Sequence, residues 1–212
     1  MRSILLLLLL LLFGDKSIAQ TRVVAEVTLV YSIEVVNELQ TDKEALAQLK
    51  QSSKTVYIKG NNSRVDLNSP SFSQSLIYSK GNGTAVILRE MGTNKFMTKL
   101  DSKQWNKQNE KFTGMMVKYP GDTKIILGYD CKKAILQLQD GSTFSVYYTT
   151  AISPSVREFE YQFKDIPGFV LQYEAMDGYT QKIIYTATKI NLNPVAASKF
   201  DIPTSGYRLL NN

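Results

Sequence analysis

Between Val23 and Val35 the chain alternates. Val23, Ala25, Val27, Leu29, Tyr31, Ile33 and Val35 are apolar, and Glu26, Thr28, Ser32 and Glu34 hold most of the positions between them. A period of two sends successive side chains to opposite faces, so the pattern predicts a long, half-buried, curved antiparallel strand. Thr41 with Glu44 three residues on has the spacing of a capping box and predicts a short helix over 45–49, with Leu46 and Leu49 toward the sheet. Strands follow at short, regular spacing. Those at 54–59 and 63–67 flank Gly60-Asn61-Asn62, those at 76–79 and 84–90 flank Gly81-Asn82-Gly83, and another covers 95–100. Asp101 to Trp105 reads as a capped helix start that runs to about Glu110. Beyond Pro120-Gly121-Asp122 come strands at 124–127 and 130–139, and Asp140-Gly141 closes a hairpin into 143–150. Strands at 169–175 and 182–192 and a last helical turn over 194–200 complete the set.

About ten strands joined by hairpin-length loops imply a mainly β (α+β) chain built on one antiparallel sheet, with two or three short helices. So many strands curl, and the expected form is an incomplete barrel. The concave side of such a sheet must be filled by core, by helices or by a ligand. Tyr31, Tyr57, Tyr147, Tyr148, Tyr161, Phe163, Phe169, Tyr173 and Tyr185 lie in or beside these segments. Strands favour aromatics for packing alone, and tyrosine can also line an apolar cavity while its hydroxyl finds a partner.

The first nineteen residues do not belong to this pattern. Arg2 precedes an unbroken apolar run from Ile4 to Phe13, then Gly14-Asp15-Lys16 and the small residues Ser17 and Ala19. Ten residues of helix reach about 15 Å, half of a ~30 Å hydrocarbon core, so the run fits the short apolar region of a signal peptide better than a membrane span. The expected division is a signal peptide over 1–19, cleaved between Ala19 and Gln20, and a single β-rich domain over 20–212. Gln20 cannot be acylated as the first cysteine of a lipoprotein would be. No later apolar run is long enough to span, so the mature chain is expected to be periplasmic or secreted, without a transmembrane segment.

Composition narrows the chemistry. The chain has no histidine and one cysteine, Cys131. Ser-His-Asp and Cys-His arrangements are therefore out of reach, as are zinc sites built on histidine or several cysteines. Lys132 and Lys133 flank Cys131, but in a strand immediate neighbours point to the opposite face, so a small buried hydrophobe is the better reading of the thiol. Glu158, Glu160, Asp165 and Glu174 could supply a carboxylate pair for glycoside hydrolysis, but their spacing singles out no two of them. No glycine-rich phosphate loop appears and no cofactor is implied. The net charge is +6, and without Arg2, Lys16 and Asp15 it is +5, with no dense basic cluster of the kind that binds nucleic acid. Lys99, Lys103, Lys107 and Lys111 recur every four residues and would form a basic stripe if one helix carried them all.

Two stretches carry a resemblance. Ile126-Leu127-Gly128-Tyr129-Asp130-Cys131-Lys132-Lys133-Ala134 is followed by Phe144-Ser145-Val146-Tyr147-Tyr148-Thr149-Thr150-Ala151-Ile152, and then by Ile166-Pro167-Gly168-Phe169-Val170-Leu171. Their order, and the ending Phe200-Asp201-Ile202-Pro203, resemble the secreted GLPGLI-type families and related domains of unknown function in Gram-negative envelopes. Ile166 departs from the leucine of the strict motif. The resemblance covers about 124–207 and implies the layout of the LolA and LolB carriers, an incomplete barrel whose concave side is closed by helices. It implies no catalytic, metal or ligand-binding residue. The expected function is a non-enzymatic exported binding protein that holds a lipid-like or other apolar ligand in a half-barrel. The alternative is an envelope module that recognises another protein, through a sheet edge or the lysine stripe, without a small ligand.

Overall fold

The computed structural model describes residues 21–36, 43–176 and 182–210, with the side chains of Ala45 and Met176 excepted. The expected signal peptide, its cleavage point at Ala19 and Gln20, and Thr41 of the expected capping box lie outside the described residues. The first described part of the chain forms β1 (Arg22–Val24), β2 (Glu26–Val36), α1 (Lys43–Lys50), β3 (Ser53–Lys59), β4 (Asn62–Asn68), β5 (Ser73–Ser79), β6 (Thr84–Met91) and β7 (Asn94–Leu100). There follow α2 (Ser102–Gln108), β8 (Met116–Lys118), β9 (Thr123–Ile126), β10 (Tyr129–Gln137), β11 (Thr143–Thr149) and β12 (Ile152–Pro154). The last are β13 (Phe169–Met176), β14 (Lys182–Asn191) and β15 (Arg208–Leu210). Single 3-10 turns occupy Glu110–Phe112, Arg157–Phe159, Tyr161–Phe163 and Ala197–Phe200.

Thirteen of the strands form one large curved sheet that does not close into a barrel. Its order is β15-β7-β6-β5-β4-β3-β2-β14-β13-β11-β10-β8, with β9 also paired to β10. From β2 to β7 the chain is a plain meander, as the hairpin signals predict. Three pairings join strands distant in sequence. β2 pairs antiparallel with β14, β15 lies parallel to β7, and β1 lies parallel to β12 as a separate two-stranded ladder. The predicted first strand is broken at Ala25, between β1 and β2. Val23, placed with the apolar set by alternation, is consequently exposed, while Val24, Val27, Leu29 and Tyr31 are buried. The expected helix after Asp101 is present and shorter than predicted. Gln104 N donates to Asp101 Oδ1 at 2.8 Å, Asp101 N donates to Gln104 Oε1 at 3.0 Å, and the helix stops at Gln108.

One face of the sheet carries the main core. The register aligns Leu29, Val56, Val65, Leu76 and Ile87 in one row, and Val27, Ile58, Ser63, Tyr78, Ala85 and Leu100 in the next. Over the β2-β14-β13 part of this face lies the segment 157–163, whose Phe159 and Phe163 are buried. Each such ring contributes about 2 kcal/mol by leaving water. Phe159 packs edge-on to Phe169 at 5.8 Å and Phe163 edge-on to Tyr173 at 5.0 Å, and Tyr31 Oη donates to Val170 O at 2.7 Å. Farther out, α2 inserts Trp105, stacked on Tyr78 at 5.5 Å.

The residues that carry the family resemblance are core and turn. Ile166, Phe169, Val170 and Leu171 are fully buried. Gly168 is glycine because a Cβ there would stand 2.0 Å from the backbone oxygen of Thr149. Gly168→Ala must push two backbones apart and is expected to destabilise the fold by about 3 kcal/mol, the upper end for overpacking; a urea midpoint equal to wild type would show that the 149–168 approach is looser than this. The turn between β9 and β10 is the opposite case. Leu127, with φ 51°, precedes Gly128 with φ 79°, the left-handed pair of a tight hairpin in which leucine is the costly member. Leu127→Asn is expected to raise stability by about 0.5–1 kcal/mol in the same assay, and a loss would reveal packing by the Leu127 side chain.

Candidate functional site

A cleft of about 290 Å³ remains where the concave face is incompletely filled. Its floor is Val65, Leu67, Gln74, Leu76, Ile87 and Arg89 from β4, β5 and β6; its walls are Trp105, Gln108 and Asn109 at one side and Glu160, Tyr161 and Gln162 at the other, with Lys54 at the inner end. Three of these are polar for a reason legible in the register. Tyr31, Lys54, Leu67, Gln74 and Arg89 form a cross-strand row beside the Leu29–Ile87 row, so Lys54, Gln74 and Arg89 face inward with the apolar residues.

Lys54 and Glu160 form a buried pair, their side chains 10% and 13% exposed. Lys54 Nζ donates to Glu160 Oε1 and to Tyr173 Oη, and lies 4.7 Å from the centre of the Tyr185 ring. Tyr173 Oη donates to Glu160 Oε1 at 3.0 Å, and Gln162 Nε2 donates to Glu160 Oε2 at 2.6 Å. Both carboxylate oxygens are thus engaged. Burial pulls the Lys54 ammonium down to about 7, while the adjacent carboxylate works the other way. Burial holds the Tyr31 and Tyr173 phenols well above their usual range. The cluster is a tie between the sheet and the 157–163 segment that also walls the cleft.

At the outer end, Arg89 Nε donates to Gln74 Oε1 at 2.9 Å. Arg89, Ile87 and Gln108 also line a second, more open cavity of about 630 Å³, completed by Thr98, Gln104 and Lys107. The two adjoin at Ile87, Arg89 and Gln108, and together they make a groove lined from Lys54, past α2, to Thr98 of β7.

The other carboxylates are dispersed. Glu158 lies 3.7 Å from Lys80, Glu174 accepts from Lys182 at 2.6 Å and from Ser145 N at 3.0 Å, and Asp165 is exposed. Only Glu160 reaches the cleft, as the counter-ion of Lys54. Cys131 is fully buried, and burial pushes its thiol up to about 11, in keeping with the reading of a small hydrophobe. The lysine stripe does not form on one helix. Lys99 belongs to β7, Lys103 and Lys107 to α2, and Lys111 to the 3-10 turn beyond it. Of the aromatics, Tyr31, Phe163, Phe169 and Tyr173 are core, and Tyr161 lines the cleft. The sequence reading did not single out Lys54 or Arg89, although each sits in the apolar phase of its strand: Lys54 with Val56 and Ile58, Arg89 with Ala85 and Ile87.

The Lys54–Glu160 tie sets a pH-dependent expectation. An unfolded lysine keeps its proton to about pH 10.4, so above about 7 the unfolded chain holds more protons than the folded one, and this group's contribution to stability rises with pH. Glu160→Gln removes the opposing carboxylate. The expected loss is about 3 kcal/mol near pH 6, where the wild-type protein keeps a charged pair that the variant lacks, and clearly less near pH 9, where Lys54 has shed its proton in both. Urea midpoints of variant and wild type at both pH values check this; an equal loss at both would mean that Glu160 acts by packing rather than charge.

No family model and no curated protein matches the chain. Solved structures similar to it include PNGF-II, with a TM-score of 0.50 at 13% identity over 87% of this chain and 30% of that one. MucB gives 0.42 at 10% identity, over 88% of this chain and 59% of that one. A LolA superfamily protein from Nitrosomonas europaea gives 0.37 at 12% identity, over 87% of this chain and 94% of that one. The chain therefore spans less than a third of PNGF-II and about three-fifths of MucB. These likenesses concern the course of the chain alone.

Proposed function

We propose that this chain is a non-enzymatic exported binding protein of the cell envelope that holds the apolar part of a lipid-like ligand in the cleft. The observation that carries the reading is the floor of that cleft. Val65, Leu67, Leu76 and Ile87 belong to the inward phase of three adjacent strands, yet the 157–163 segment and α2 leave a passage above them. Burial of apolar surface is non-directional, so such a floor holds a chain without specific chemistry. Export is supported by the signal-like run over 1–19.

A second reading, an envelope module that recognises a protein, has its own support. The β8–β9 edge exposes Met116, Tyr119, Ile125 and Leu127, with Ile125 71% exposed. Photo-crosslinking from position 125 in the native envelope separates the two: one recurrent protein adduct favours recognition at this edge.

Trp105 is the one tryptophan of the chain and lines the cleft, so its emission reports occupancy. The apolar probe 1-N-phenylnaphthylamine is expected to bind with a change in Trp105 fluorescence, and Leu76→Gln to weaken it about tenfold with an unchanged far-UV spectrum. Failure of the folded wild-type protein to bind the probe would remove the basis for a lipid-like ligand.

A further inference from the structure

At its outer end the groove holds cations with no acid beside them among the described residues. Arg89 is half-buried, and one nitrogen of its guanidinium has a partner, the neutral side-chain oxygen of Gln74 at 2.9 Å. Its two terminal nitrogens have none among the described residues. Arg64, two strands away in the same sheet, shows how a saturated arginine looks here. Its Nε donates to Asp66 Oδ1 at 2.6 Å, one terminal nitrogen to Lys199 O at 2.8 Å and the other to Ser75 Oγ at 3.0 Å. Lys107, on the α2 side of the groove, likewise has no acid partner among the described residues. The one carboxylate in the lining of either cavity is Glu160, and both of its oxygens are engaged at the far end.

A charge drawn partly out of water is ordinarily paired, and a guanidinium presents its donors in a planar fork suited to a carboxylate or phosphate. Next to that fork runs the apolar floor of Leu67, Leu76 and Ile87. We propose, building on the reading of the cleft as a binding site, that its ligand is a single-chain anionic amphiphile. Its carboxylate or phosphate head sits on the terminal nitrogens of Arg89 with Lys107 nearby, and its chain extends toward Lys54 over the floor. Lys54 is not the head-group site, because Glu160 and Tyr173 already surround its ammonium.

The test compares two ligands that differ in the head alone, decanoate and decanol, as competitors of 1-N-phenylnaphthylamine near pH 7.5, where the acid is ionised. Wild type is expected to bind decanoate about tenfold more tightly than decanol, as one charge-assisted pair implies. Arg89→Gln should bring decanoate down to the level of decanol, and a far-UV spectrum and urea midpoint equal to wild type show that the variant is folded. Decyl phosphate separates the two head groups by its rank against decanoate, and either order fits so long as both exceed decanol. Equal binding of decanoate and decanol by wild type, or a preference that survives Arg89→Gln, overturns the inference while the binding cleft stands. Displacement by inorganic phosphate alone, at the concentration at which decyl phosphate acts, also overturns it, because the chain would then contribute nothing. If the probe and all competitors fail to bind, the cleft reading itself falls, and this inference with it.

Discussion

The salt bridge between Lys54 and Glu160 joins residues 106 positions apart and fixes a segment that the sheet does not position by strand pairing. A curved sheet that does not close has a concave face too broad to be covered by its own side chains. Here the chain returns over that face as two 3-10 turns, Arg157–Phe159 and Tyr161–Phe163, which supply few backbone hydrogen bonds of their own. Phe159 and Phe163 hold the segment down by burial, which is strong but does not specify where along the face the segment lies. The Lys54 tie adds direction, because a buried ammonium tolerates few positions for its counter-ion. The Tyr173 and Gln162 bonds to the same carboxylate restrict it further.

The position of the cleft follows from how far this filling reaches. Beneath β2, β13 and β14, Tyr173 packs against Tyr31 and Phe163, and Phe169 against Phe159, all of them buried. Beyond Glu160 the cover over β4, β5 and β6 depends on α2, a helix of seven residues that buries a single side chain, Trp105. One indole on Tyr78 cannot cover three strands, so Leu67, Leu76, Ile87 and Arg89 are left beneath an incomplete roof. The opposite face is treated differently. There the C-terminal segment crosses the sheet, Lys199 O accepts from Arg64, and Tyr207 covers Ile77, Val86, Leu88 and Met97 before β15 pairs with β7.

Much of the β2–β7 meander was legible because its information is local: alternation sets the faces and Gly-Asn turns set the hairpins. The strands that the sequence does not announce, β8, β12 and β15, are three residues each, and β12 and β15 exist through a parallel neighbour far along the chain, which no local pattern encodes. Asp140-Gly141 has the signature of a tight hairpin, but Gln137 pairs with Thr143, so the loop is longer and Asp140 instead accepts from Ser142. Lys99 to Lys111 kept a helical spacing across a strand, a helix and a 3-10 turn, because spacing alone carries no element boundary. The cleft had a usable signal that went unread. In 54–59 and 84–90 a basic residue occupies the apolar phase, and an inward-facing charge needs either a partner or a purpose.

Lys54 and Arg89 answer that requirement in opposite ways, although they belong to the same cross-strand row with Leu67 and Gln74 between them. Lys54 is surrounded by protein, and its charge is met by Glu160, so it contributes to the fold. Arg89 lies where the roof is open and water can still reach it, which is why the fold tolerates a guanidinium whose fork is mostly unused. A charge held for stability alone would be better served by an acid in place of Gln74. A neutral glutamine instead orients the guanidinium through Nε and leaves its terminal nitrogens turned toward the groove that Leu76 and Ile87 floor. Orientation without neutralisation is the arrangement a protein needs when the counter-charge is to come from outside.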